Sequence, residues 1–245
     1  MKHLCLFFCL ISFSAAGYAQ GIVHERSLAD YVHAAPFSFS LWEKPVIPER
    51  VFNIVQFGAR PDGQTLNTHF IQHAIDSGAA AGGGVIVVPP GLWLTGPITL
   101  RSHIELHLER GAILLFTPDH SQYPIIQPPR SSSFVVASPI SGYDLEDVAI
   151  TGEGIIDGSG DSWRPVKKEK QTAAQWKDLL KKGGVLSDNG NMWWPTAEAR
   201  DGEQYLKQLK QSGKQLTAAD FLPARDYMRP YMVLLVRCKN VWIEG

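Results

Sequence analysis

Apolar residues along this chain fall in very short alternating runs separated by turn residues, not in the longer periodic stretches of a helical bundle. Such runs are Val85 to Val88, Trp93 to Thr95, Ile98 to Leu100, Ile104 to Leu108 and Ala112 to Phe116, then Phe134 to Ala137, Val148 to Thr151, Ile155 to Asp157, Tyr231 to Val236 and Val241 to Glu244. Strands of this length cannot bury a face as isolated hairpins, but they can stack as rungs when each circuit of the chain covers the last. The pattern therefore predicts an all-β fold, a parallel β-helix. In the run 104–108 the two-residue period sends Ile104, Leu106 and Leu108 inward and leaves His103, Glu105 and His107 outside. An open stack end exposes unpaired backbone and needs a lid. A helix over 67–77, with Phe70, Ile71, Ala74 and Ile75 on one face, fits that role after a strand from Val51 to Phe57 and a turn at Arg60 to Gly63.

The stretch 159–229 breaks the rung pattern and reads as a largely helical insertion. Thr172 with Gln175 three residues on makes a capping box, and Trp176, Leu179 and Leu180 share one face before Gly183. A second helix is predicted from Asp201 to Gln211, with Tyr205, Leu206 and Leu209 inward.

Composition narrows the class further. With 44% apolar and 19% charged residues, a net charge of -1, 22 Gly and 16 Pro, the chain is globular and turn-rich, and it carries no footprint for nucleic acid. Lys2, the apolar run Leu4 to Phe13 and the small residues to Ala19 read as a secretory signal peptide over 1–19, too short to span a bilayer. Its removal leaves Cys238 as the only thiol, since Cys5 and Cys9 leave with it, so packing rather than a disulfide must hold a secreted or periplasmic protein together. Pro36, Pro45 and Pro48 predict an extended arm over 20–50. The insertion holds 13 Lys and Arg against 9 Asp and Glu, and 4 of the 7 tryptophans. Cations beside flat indoles suit an anionic sugar, whose ring stacks on Trp while its carboxylate meets Lys or Arg; a solvated helical face anchored by tryptophans gives the same pattern.

Several segments resemble a known family. Phe52-Asn53-Ile54 through Phe57-Gly58-Ala59, Pro61-Asp62-Gly63 and Asn67-Thr68 are similar to the opening of polygalacturonases, glycoside hydrolase family 28. Gln72 to Asp76, Gly82 to Pro89, Gly91, Leu94-Thr95-Gly96 and Leu100 resemble the family's first coils. Ile150 to Gly158 looks like a later coil signature, and Arg229-Pro230 to Gly245 like the coil after the family's insertion. One departure is that Trp163 is followed by Arg164 where the family often has adjacent tryptophans. The resemblance implies a right-handed parallel β-helix of the pectin-lyase-like type and inverting hydrolysis of α-1,4 galacturonosyl linkages in pectin, with no cofactor or metal and a monomeric complete protein. It implies the N-terminal portion only. The family's Asn-Thr-Asp, Asp-Asp, Gly-His-Gly and Arg-Ile-Lys motifs are absent here and belong to coils beyond Gly245, so no catalytic residue is assigned and this chain alone is expected to be inactive. A polysaccharide lyase on the same fold and a non-catalytic carbohydrate-binding β-helix stay open as alternatives.

The remaining acids and bases offer little chemistry. Asp144, Glu146 and Asp147 bunch on one turn instead of converging across a cleft. Asp157 and Asp161 bracket Gly158-Ser159-Gly160 without a full calcium loop. His69 and His73 have zinc-ligand spacing, but Phe70 stands where a metalloprotease carries its glutamate. Candidate substrate-binding residues are Arg229, where the insertion rejoins the coil, for a carboxylate, and Trp163, Trp193 and Trp194 as sugar platforms. A long cap over one end of a groove favours attack at chain ends, an exo mode. Val241 and Ile243 would sit on an uncovered rung, which predicts poor solubility.

Overall fold

The computed structural model describes residues 28–38 and 43–245. The leader read at 1–19, with Cys5 and Cys9, lies outside the described residues. The chain divides into two units, one up to Glu43 and one from Lys44 to Gly245. In the first, α1 (Leu28–Ala34) occupies a stretch free of Pro and Gly, inside the span read from its prolines as an extended arm.

The second unit is a parallel β-helix with three faces. It opens with β1 (Val51–Asn53) and α2 (Thr68–Ala80). The first full coil is β2 (Gly84–Val88), β3 (Gly91–Thr95) and β4 (Ile98–Thr99). The second begins with β5 (Ile104–Leu108) and β6 (Ala112–Phe116), leaves the stack through a hairpin of β7 (Ile125–Ile126) and β8 (Val135–Val136), and closes with β9 (Ile140–Tyr143). The third begins with β10 (Glu146–Gly152) and β11 (Ile155–Asp157).

A larger excursion then follows. It contains β12 (Val166–Lys167), α3 (Ala173–Lys181), β13 (Val185–Leu186), β14 (Met192–Trp194), α4 (Ala197–Gln211) and α5 (Arg225–Met228). The chain returns as β15 (Val233–Val236), and β16 (Lys239–Ile243) starts a fourth coil. The resulting sheets run β1-β2-β5-β10-β16, β3-β6-β11 and β4-β9-β15, all parallel. Parallel crossovers within one sheet are right-handed for twisted strands of L-residues, and so is this solenoid.

Register explains why such short strands suffice. Phe52, Ile86, Leu106, Ile150 and Ile243 form one column across the first sheet; Trp93, Leu114 and Ile156 form another in the second, and Ile98, Ile140 and Val233 a third. Ile86, Trp93, Ile98, Leu106, Leu114 and Ile140 are fully buried, so each strand spends alternate residues on one continuous core. Helix α2 lays Ile71, Ala74 and Ile75 over the first coil. Its entry is fixed by fully buried Asn67, whose amide donates to the carbonyls of Arg60, Thr65 and Leu94. At the far edge Ile243 is 63% exposed.

Several sequence expectations change. The strand read from Val51 to Phe57 ends at Asn53, whose side chain accepts the Val55 N–H and starts a 3-10 turn over Ile54–Phe57. The run Phe134 to Ala137 is not a rung: β8 pairs antiparallel with β7, because Pro128 and Pro129 turn the chain back on itself. The third-face strand β9 was hidden by Ser141 and Gly142, which imitate a turn. Helix α4 starts at Ala197, not Asp201, because the Thr196 hydroxyl accepts the N–H of Ala199 and caps it. The excursion also holds a small antiparallel sheet, β12-β14-β13, beside its helices, while the Thr172–Gln175 capping box forms as read.

Candidate functional site

Both excursions leave the solenoid at the same corner, after β6 or β11, and return at β9 or β15; the first coil crosses that corner with Gly96 and Pro97 alone. Stacking them there builds a second core from Tyr123, Ile125, Val136, Trp163, Leu209 and Phe221. Between the outgoing segment 157–164 and the incoming segment 229–232 lies a cavity of about 520 Å³.

Arg164 and Arg229 are exposed and face this cavity, together with Asp157, Asp161 and Trp163. Among the described residues neither guanidinium has a carboxylate within ion-pair distance. Asp157 is partly committed, since its Oδ1 accepts the N–H of Ser159 at 2.9 Å. A Cβ at Gly158 would meet the Met232 sulfur at 2.6 Å, so the outgoing and incoming chains touch there and the methionine end would have to shift to admit one. Arg229 sits at φ 37°, ψ 114°, a left-handed conformation that costs a residue bearing a Cβ.

The sequence-derived candidates separate in space. Trp163 and Arg229 come together at the cavity, but Trp163 is buried, with one face stacked on His120 at a centroid distance of 3.5 Å and Tyr123 edge-on at 5.1 Å. Trp193 is buried in the small sheet and gives its Nε1–H to the Gly183 carbonyl at 2.7 Å. Trp194 is half-buried and lines a different, wider groove of about 1090 Å³.

Charge pairing distinguishes the two openings. The wider groove carries Lys167, Lys168, Arg200 and Lys207 but also Glu169, Asp188, Asp201 and Glu203. Arg200 grips Asp201 through two hydrogen bonds, at 2.7 and 2.8 Å, and Lys207 meets Glu203 at 2.7 Å. An arriving anion there would have to displace existing partners. At the corner the guanidinia are available.

Other candidate clusters are structural. Asp144 takes two hydrogen bonds from Arg237, which holds its carboxyl below the ordinary range, and Asp147 accepts from Asn240 on the next coil. On the outer face the Thr151 hydroxyl donates to Glu105 and lies 2.7 Å from His107 Nδ1. His69 and His73 stack ring on ring at 6.0 Å. Among the described residues no three His, Cys, Asp or Glu side chains converge in a metal-binding group.

Sequence reasoning missed Arg164 and a buried group formed by His120, Ser162, Thr196 and Asp226. For Arg164 a signal existed, as it replaces an expected tryptophan beside Trp163. For the buried group there was none, since its members come from four separate segments. Asp226 is buried, which opposes ionisation, yet hydrogen bonds from His120 and Thr196 outweigh this and lower its pKa.

Comparison with known proteins places these features in context. A family profile described as rhamnogalacturonase A/epimerase, pectate lyase-like, matches residues 51–107. A probable polygalacturonase of Vitis vinifera is 43% identical over 122 residues, covering 45% of this chain and 25% of that protein. An exo-poly-alpha-D-galacturonosidase of Dickeya chrysanthemi is 40% identical over 158 residues, 57% of this chain and 26% of its own length. The crystal structure of a hyperthermoactive exopolygalacturonase from Thermotoga maritima superposes with a TM-score of 0.58 at 32% identity, covering 83% of this chain and 42% of that one. The chain thus spans about a quarter of the length of the curated relatives it matches. No helix among the described residues is long and apolar enough to cross a membrane. In sequence the chain is similar to polygalacturonases over part of their length, and in fold it is a right-handed parallel β-helix.

Proposed function

We propose that the chain forms the capped early coils of a polygalacturonase that hydrolyses α-1,4-galacturonosyl linkages of pectin by inversion, acting from chain ends, in a secreted or periplasmic setting and as a monomer. The relatives' names support the activity, and the two printed as exo enzymes support the mode. Within these coils the corner cavity receives a galacturonate carboxylate. The observation that carries this reading is the pair of exposed guanidinia, Arg164 and Arg229, facing one concave site without an ion-pair partner among the described residues. Planar forked donors match a carboxylate in two-point contact, and the Trp163 edge supplies an apolar wall against a sugar ring. Trp194 and Trp193 contribute packing and a separate groove rather than this site.

Calorimetric titration of the chain with trigalacturonate tests the reading. Arg229→Ala and Arg164→Ala should each weaken binding about tenfold, the scale of one charge-assisted hydrogen bond between partly solvated partners, while Lys207→Ala leaves it unchanged. Wild-type affinity in both arginine variants would overturn the assignment. Unsaturated, ultraviolet-absorbing products from polygalacturonate would overturn hydrolysis in favour of elimination.

A further inference from the structure

A buried polar junction joins the two excursions beside the corner cavity. His120 Nδ1 lies 2.9 Å from Asp226 Oδ1 and its Nε2 lies 3.2 Å from Ser162 Oγ. The His120 and Asp226 side chains are only 10% and 11% exposed. Asp226 Oδ2 accepts the Thr196 hydroxyl at 2.8 Å, so the junction also reaches the N-cap of α4. Trp163 lies over the imidazole with its ring only 15° from parallel.

The order Ser-His-Asp invites a nucleophile reading, but the protons run the wrong way for it. Ser162 gives its one hydroxyl proton to the Ser159 carbonyl at 2.8 Å, so its oxygen is an acceptor towards His120. Nε2 must then carry a proton, and Nδ1, facing a carboxylate, carries one as well. A ring protonated on both nitrogens cannot act as a base. It can tie two elements together.

We propose that protonated His120 is a positioning residue: by holding Asp226 on α5 and Ser162 on the outgoing loop at once, it sets Arg229 and Arg164 on opposite walls of the cavity. Asp226 precedes Arg229 by less than one helical turn, and Ser162 is two residues before Arg164. The left-handed backbone of Arg229 supports this, since such a conformation persists only where its surroundings impose it.

The groups facing the junction decide how it fails. From α5 come Asp226 and Arg225, whose Nε stands 3.7 Å from the Asp226 carboxylate. The His120 loop contributes Asp119, an N-cap acceptor for Ser121, and Tyr123, whose phenol burial keeps protonated. Arg225 gives Asp226 a second cation, so the carboxylate stays ionised and keeps its hold on Nδ1–H, the stronger of the ring's two contacts. Loss then falls on Nε2. Ser162 must swing its hydroxyl proton from Ser159 to the ring, and the outgoing loop loses one of the two bonds that close residues 159–162, the Ser162 N–H to the Ser159 carbonyl at 3.0 Å being the other. Arg164 moves with it. Carboxylate affinity should therefore be high while the ring holds both Asp226 and Ser162 and fall when the Nε2 contact is lost.

What the cavity binds rests on the proposed function; the junction does not. The test uses the full chain. Indole emission is recorded from about pH 5 to 8, and trigalacturonate binding is measured across the same range. An imidazolium stacked on indole quenches it, so emission should rise in one step, absent in Trp163→Phe and in His120→Gln. Affinity should fall about tenfold across that step, and be weak and flat in His120→Gln. Ser162→Ala, a milder change, should keep the emission step and lose the pH dependence of binding. No step assignable to Trp163, or wild-type affinity and pH response in both His120→Gln and Ser162→Ala, would overturn the proposal. A step without any trigalacturonate binding would leave the junction supported and remove the carboxylate reading instead.

Discussion

Replacing Leu106 with alanine removes three carbons from the middle of the first-sheet column, with Ile86 on one side and Ile150 on the other. Leu106 is fully buried. At about 0.8 kcal/mol for each buried carbon the transfer loss is about 2.4 kcal/mol. The flanking residues are held by the hydrogen-bond ladders of neighbouring coils, so the void cannot close, and the total should reach about 3 to 4 kcal/mol. Ile243→Ala, one coil beyond Ile150 in the same column, also removes three carbons, but from a side chain 63% exposed, and should cost about 1 kcal/mol or less. Urea unfolding followed by far-ultraviolet circular dichroism separates the two through their midpoints, provided the slopes agree. Equal costs, or a cost for Leu106→Ala under about 1.5 kcal/mol, would refute the claim that burial within the stacked columns of side chains carries the stability of these coils.

Two further outcomes follow from local geometry. Gly152 has φ 103°, and a Cβ there would lie 2.0 Å from the Leu108 carbonyl oxygen, so Gly152→Ala should cost more than about 2 kcal/mol and lower the thermal midpoint measured by circular dichroism; an unchanged midpoint would contradict the backbone geometry at that rung. The Asp220 carboxyl is held down to about 2 by its ion pair with Lys214 and by the Thr217 N–H and hydroxyl. A depressed carboxyl stabilises above its ordinary range and loses that contribution as pH falls towards its folded value. The protection of the Thr217 amide relative to its intrinsic exchange rate should therefore fall between about pH 4 and pH 2, and already be low at pH 5 in Asp220→Ala; protection that persists at pH 2 would count against the cap.

The solenoid was readable because its physics is local. Ile104, Leu106 and Leu108 alternate with His103, Glu105 and His107 whatever lies above them, and the turn residues between runs fix where each coil bends. Phe134 to Ala137 misled for the same reason, since two valines in a row look alike in a rung and in a hairpin, and only the pairing partner differs. Trp163 was found as a candidate from its place after a coil signature, but its stacking on His120 depends on a second excursion reaching the same corner. Trp193 and Trp194 are adjacent in sequence and were read together, yet strand alternation buries one and turns the other into a separate groove.

By itself the sequence determined the class of fold, the lid, the capping box at Thr172 and the family resemblance, because periodicity and turn chemistry act over a few residues. Tertiary structure alone decided which cations stay unpaired and which buried groups meet. A basic surplus of the insertion could be counted in the sequence, but Arg200 and Lys207 are neutralised by partners on their own helix while Arg164 and Arg229 meet no carboxylate among the described residues, and that depends on where side chains point. The junction of His120, Ser162, Thr196 and Asp226 is the extreme case: a buried charge is tolerated only when its counter-charge and acceptors converge in space, and residues so distant along the chain are brought together by the stacking of coils, not by any pattern within them.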